Sequence, residues 1–157
     1  MRLTYVLLAL AVAITVPAMA SALPAAPAAP VSVNEAGLAI SGYDATAYFT
    51  GGRPEIGSPD FEYRWNGAVW RFASAANRDL FAANPEAYAP KYGGYCAWAV
   101  SQNYLAPGDP LQWRIVDGRL FLNFNARAKL LWETDLVNAI ARGDANWPSV
   151  LERAGNR

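Results

Sequence analysis

The stretch Phe61-Glu62-Tyr63-Arg64-Trp65-Asn66-Gly67-Ala68-Val69-Trp70-Arg71-Phe72 decides the class of fold. Apolar and charged side chains alternate on both sides of Asn66-Gly67, the period-2 pattern of strands with one face buried. Asn-Gly is the strongest short hairpin signal, because both turn positions need positive φ. The core therefore contains an antiparallel hairpin from Phe61 to Phe72.

Working outward, Ser74 is a side-chain N-cap for a helix from Ala75 to about Ala83, with Leu80 and Phe81 facing inward. Asn84-Pro85 ends it, and Pro85 to Tyr88 reads as a further helical turn. Upstream, Ala45 to Thr50 reads as a strand broken by Gly51-Gly52. Downstream, Gly93-Gly94 introduces Tyr95 to Val100, an apolar run too short to assign by periodicity. A second hairpin follows, with Gln112 to Val116 and Arg119 to Phe124 joined at Asp117-Gly118. Asn125 caps the longest helix, whose apolar stripe is Ala128, Leu131, Trp132, Leu136, Ala139 and Ile140. Gly143 punctuates it, and Trp147-Pro148 leads into a terminal helix through Leu151. Hairpins interspersed with helices make a single α+β domain. No internal repeat or second domain is legible.

The first residues read as processing signal. Arg2 precedes an apolar run from Tyr5 to Val16, and Ala18-Met19-Ala20 and Ala20-Ser21-Ala22 both fit a cleavage site. The run is short of the roughly 20 apolar residues a membrane span needs. The expected organisation is a signal peptide over 1–22, a Pro/Ala-rich linker over 23–37, a folded domain over 38–152 and a tail over 153–157. The destination is the periplasm or the exterior, with no membrane span after cleavage.

The chain has 13 basic and 13 acidic residues, one cysteine and no histidine. Charge balance excludes an electrostatic nucleic-acid binder. Without histidine there is no Ser-His-Asp triad, no Cys-His pair and no imidazole metal ligand. A lone cysteine in an exported chain makes no internal disulfide, so the core alone holds the fold. Cys96 is then a buried inert thiol, an intermolecular bridge, or a reactive or ligating thiolate.

Several strings together resemble the YHS domain family. Gly42-Tyr43-Asp44-Ala45-Thr46-Ala47-Tyr48-Phe49 is followed by the first hairpin. Then come Phe72-Ala73-Ser74-x-x-Asn77-Arg78-Asp79-x-Phe81 and Asn84-Pro85-Glu86-x-Tyr88. Ala89-Pro90-Lys91-Tyr92-Gly93-Gly94-Tyr95-Cys96-Ala97, Val116-Asp117-Gly118 through Asn123, and Ala145-Asn146-Trp147-Pro148 resemble its exported, stand-alone branch. The resemblance runs from about residue 38 to 151 and implies metal handling. Metal-type members carry thiols at positions that here read Ala47, Ala73 and Asn77, so that soft-metal site cannot form. Some members of the branch are described as selenoproteins, which directs attention to Cys96.

The candidate ligand-binding residues are Cys96, Tyr95, Gly93, Gly94 and Tyr43, and the candidate metal ligands are Cys96 and Asp44. Gly93-Gly94 could bring backbone N–H groups close to a ligand. Asp44 could ligate a metal or cap a turn through its own backbone amides. Lys91 and the amides after the glycine pair are the groups that could lower the Cys96 pKa. The six tryptophans and eight tyrosines read as core or pocket aromatics. The reading is a binding module of the cell envelope rather than an enzyme, using Cys96 for a small ligand or a soft metal ion such as copper. An envelope protein is a further partner class. The alternatives are a thiol/redox protein with Cys96 as reactive thiolate, and an interaction domain with Cys96 buried.

Overall fold

The structure, a computed structural model, describes residues 28–155. The signal peptide assigned to 1–22, the first part of the linker and the last two residues lie outside the described residues. In chain order, helix α1 spans Ala47–Thr50, strands β1 and β2 Ser58–Trp65 and Ala68–Phe72, and helices α2 and α3 Ala75–Ala83 and Pro85–Tyr88. Helix α4 spans Ala97–Ser101 and strands β3 and β4 Asp109–Val116 and Arg119–Asn123. Helices α5, α6 and α7 span Ala126–Thr134, Leu136–Asn146 and Val150–Gly155. Each hairpin is a separate antiparallel two-stranded sheet, so the class is α+β. No described helix is long and apolar enough to cross a membrane.

The two halves of the domain are built alike, which corrects the reading that no repeat is present. A short 3-10 turn with left-handed residues opens each half, at Ile40–Gly42 and at Lys91–Gly94. Gly57 N–H donates to Gly42 in the first half, and Gly108 N–H to Gly94 in the second. Asp44 N–H donates to Glu55 O, and Cys96 N–H to Ala106 O, both at 2.8 Å. Each hairpin pairs an eight-residue with a five-residue strand, with a register shift early in the longer one. Each turn has positive φ at both central residues, Asn66-Gly67 and Asp117-Gly118. Each β4-type strand leads into a nine-residue helix whose N-cap side chain accepts from the third residue on: Ser74 from Asn77, Asn125 from Ala128. Asp44 in the first half is thus the counterpart of Cys96 in the second.

The halves share a core. The first cluster joins Tyr48, Trp70, Phe72 and Phe81 with Leu120 and Leu122 of β4. The second packs Tyr92, Val100, Phe121 and Trp132 with Ala139 and Val150 of the C-terminal helices. Three local readings change. Ala45 to Thr50 is not a strand, because Asp44 caps the backbone there and starts α1. The long helix breaks at Asp135, which separates α5 from α6, while Gly143 lies within α6. Leu80 is exposed and only Phe81 is buried. Of the stretch read as linker, residues 28–37 lie against the domain: Val31 is buried, and Ala28 and Ser32 N–H donate to Leu151 and Gly93 carbonyls.

Candidate functional site

The Asp44 side chain is fully buried. Its Oδ1 accepts from the backbone N–H groups of Thr46 and Ala47 at 2.8 and 3.2 Å. Its Oδ2 accepts from Ala73 N–H at 2.8 Å and from Asn77 Nδ2 at 2.7 Å. A buried carboxylate with four donors and no cation is a structural bracket: it fixes the start of α1 and ties it to the entry of α2. Ala47, Ala73 and Asn77 all meet at this carboxylate.

Cys96 occupies the matching place in the second half. It is the N-cap of α4, and its Sγ accepts from Ala99 N–H at 3.5 Å. The thiol points at Asn123 Oδ1, 3.8 Å away, and that oxygen also accepts from Trp98 N–H at 3.1 Å. Burial pushes the thiol up from its ordinary value, against the opposing pull of the Ala99, Phe124 and Trp98 backbone amides. At neutral pH the sulfur is therefore a protonated thiol.

The halves differ in what lies beside these two groups. In the first, the Asn77 amide fills the space next to the carboxylate. In the second, the corresponding residue is Ala128, and a cavity of about 320 Å³ opens there. Cys96, Trp98, Phe124, Ala128 and Leu131 line it, with Arg127 also on its wall. Phe124 and Leu131 are exposed large apolar residues at this place. Arg127 makes no ion pair among the described residues. The Ala128 cavity was not legible in the sequence; only alignment of the two halves brings it out.

The other candidate residues lie away from this cavity. Gly93 adopts φ +62, and a Cβ there would collide with Pro30 O, so the N-terminal segment takes up the close approach that a ligand would need. Gly93 does contribute to a separate cleft of about 350 Å³ with Trp65, Glu86, Lys91 and Trp147. Gly94 O accepts from Gly108 N–H, and Tyr95 OH donates to Ala29 O at 2.9 Å. Tyr43 packs against the first core cluster. Among the described residues, no hydrogen bond or cavity wall joins Asp44 to Cys96, and no three His, Cys, Asp or Glu side chains group around a common point. Asp44 has both oxygens committed to four donors and shares no site with Cys96, so Cys96 is left as a single donor, too few to hold a soft metal ion within the described residues.

No protein-family model matches this chain, and no curated protein or solved structure matches it either.

Proposed function

We propose that this chain is an exported binding module of the YHS type that holds a small, mainly apolar ligand with one anionic group in the Cys96 cavity. The observation that carries the reading is the cavity itself: apolar walls from Trp98, Phe124 and Leu131, a neutral thiol at its side, and Arg127 as a cation without an ion pair among the described residues. Ligand pockets of this kind combine an apolar lining with few polar groups that orient the ligand. Export rests on Arg2, the apolar run to Val16 and the small residues at Ala18 to Ala22. The meeting of Ala47, Ala73 and Asn77 at one carboxylate supports the family resemblance, because those are the positions where its metal-type members carry thiols. The metal reading is set aside on its donors, and the raised thiol pKa, which leaves little thiolate at neutral pH, favours Cys96 as part of the cavity wall over a fast catalytic thiolate.

Octanoate and the neutral octanol are suitable probes, titrated by calorimetry and by amide chemical shifts at Trp98 and Ala128. Octanoate is expected to bind more tightly than octanol by about two- to fivefold, the worth of one exposed charge pair. Arg127→Gln should remove that difference and leave octanol binding unchanged. Absence of shifts at the cavity for both probes would overturn the reading.

A further inference from the structure

Asn123 is fully buried, and its Nδ2 has no hydrogen-bond partner among the described residues. A buried amide donor left unpaired gives up its hydration for nothing, so native structures rarely keep one. The Oδ1 of the same amide faces the Cys96 sulfur at 3.8 Å, so the unpaired Nδ2 is one rotation of the amide away from the thiol. The backbone amides of Trp98, Ala99 and Phe124 surround the single sulfur atom, as those of Thr46, Ala47 and Ala73 surround the two carboxylate oxygens of the first half. The second half thus presents a bracket for an anion with two oxygens and holds one sulfur atom in it.

We propose that Cys96 is a modification site for hydroperoxides, and that its sulfinate takes in the second half the place the Asp44 carboxylate takes in the first. A sulfinate carries one negative charge on two oxygens attached to a single atom beyond Cβ, as an aspartate does. One oxygen receives the Trp98 and Ala99 N–H groups and the other receives Phe124 N–H. Rotation of the Asn123 amide then turns Nδ2 onto a sulfinate oxygen, since Trp98 N–H no longer needs Oδ1. Hydroperoxide reaches the sulfur through the cavity that Cys96 lines.

The steps balance with two equivalents of hydroperoxide. The small thiolate fraction attacks the distal peroxide oxygen, an S–O bond forms as the O–O bond breaks, and the leaving oxygen takes up the hydroperoxide proton to become an alcohol. The sulfenate repeats this on a second equivalent and gives the sulfinate. Sulfur is oxidised, each hydroperoxide is reduced to an alcohol, or to water for hydrogen peroxide, and the original thiol proton passes to solvent. Because the thiol is mainly protonated, conversion answers sustained rather than brief exposure. The proposal does not depend on a ligand filling the cavity.

The test is hydrogen peroxide treatment of the folded protein, with peptide mass spectrometry and thermal unfolding on the same samples. The expected result is Cys96 two oxygens heavier, with the melting temperature equal to or above that of the thiol form. A second measurement uses Cys96→Asp and Cys96→Asn, of which the first offers two charged acceptor oxygens to the three amides and the second one neutral acceptor and one donor. Cys96→Asp is expected to fold and to melt at the higher temperature. A thiol that stays unmodified under these conditions, a fold that is lost on oxidation, or a Cys96→Asp protein that melts below Cys96→Asn or fails to fold would each overturn the proposal.

Discussion

Asp44 shows how one side chain can fix two elements at once. Its four donors come from Thr46 and Ala47 at the start of α1, from the residue before the Ser74 cap, and from the Asn77 side chain in α2. Asp44→Asn keeps the shape but turns one acceptor into a donor among four donors, so two buried groups face each other without a bond. The expected loss is about 2–4 kcal/mol in denaturant unfolding. A loss below about 0.5 kcal/mol, the range of an ordinary surface change, would show that the bracket does not hold the two helices together. In the sequence, Asp44 offered both a ligand and a cap, because an Asx turn and a metal carboxylate begin from the same residue type. Only the long-range partners Ala73 and Asn77 separate the two, and no local pattern reports them. Cys96 was legible as the residue any chemistry must use, but not as the counterpart of Asp44.

At the scale of elements, the hairpins and the helix starting at Ala75 could be read directly, since period-2 alternation, Asn-Gly, Asp-Gly and Ser caps are local signals. The misreadings occur where tertiary structure overrides local pattern. Ala45 to Thr50 has strand-like composition, yet the Asp44 carboxylate takes the backbone N–H groups that a strand would give to a neighbour. The duplication escaped the sequence because what the halves share is backbone geometry: positive-φ turns, caps and close glycine approaches. The core side chains differ, with Phe81 in one half and Trp132 in the other. The comparison makes α5 the place to test the cavity. Ala128→Asn sets the Asn77 amide into the second half, beside Cys96. The variant should lose octanoate binding while stability falls by no more than about 1 kcal/mol, the helix-propensity difference between Ala and Asn. Unfolding by denaturant gives the second quantity, and calorimetry the first. Undiminished octanoate binding would place the ligand elsewhere.

For the molecule as a whole, the buried titratable groups set the pH range over which the halves stay together. Tyr48 of the first half donates to Pro110 O of the second, and burial, then repulsion from Tyr43, Asp109 and Asp44, pushes its phenol well above the usual value. Tyr92 donates to Asp144 of α6, and burial, then that hydrogen bond, pushes it up as well. For groups whose folded value is raised, the stabilisation is complete below the unfolded value and disappears as pH rises through the folded one. The alkaline flank therefore begins with Cys96 above about pH 8.5 and steepens above about pH 10, where unfolded phenols ionise. On the acid side, the Arg119 hydrogen bonds hold the Asp144 carboxyl below the usual range. Its contribution is present above the ordinary carboxylate value of about 4 and is lost as pH falls through the folded value; solvent screening at this half-exposed pair keeps it small. The melting temperature should be nearly flat between about pH 5 and 8 and should fall on both sides, more steeply on the alkaline one. Tyr48→Phe and Tyr92→Phe keep the rings and remove the phenols, so each should flatten the alkaline slope, while Asp144→Asn should flatten the acid one and, by removing the carboxylate that helps raise Tyr92, part of the alkaline one. Tyrosinate absorbance that develops for Tyr48 and Tyr92 before the fold is lost would contradict this account, since it would mean that the two phenols ionise in place.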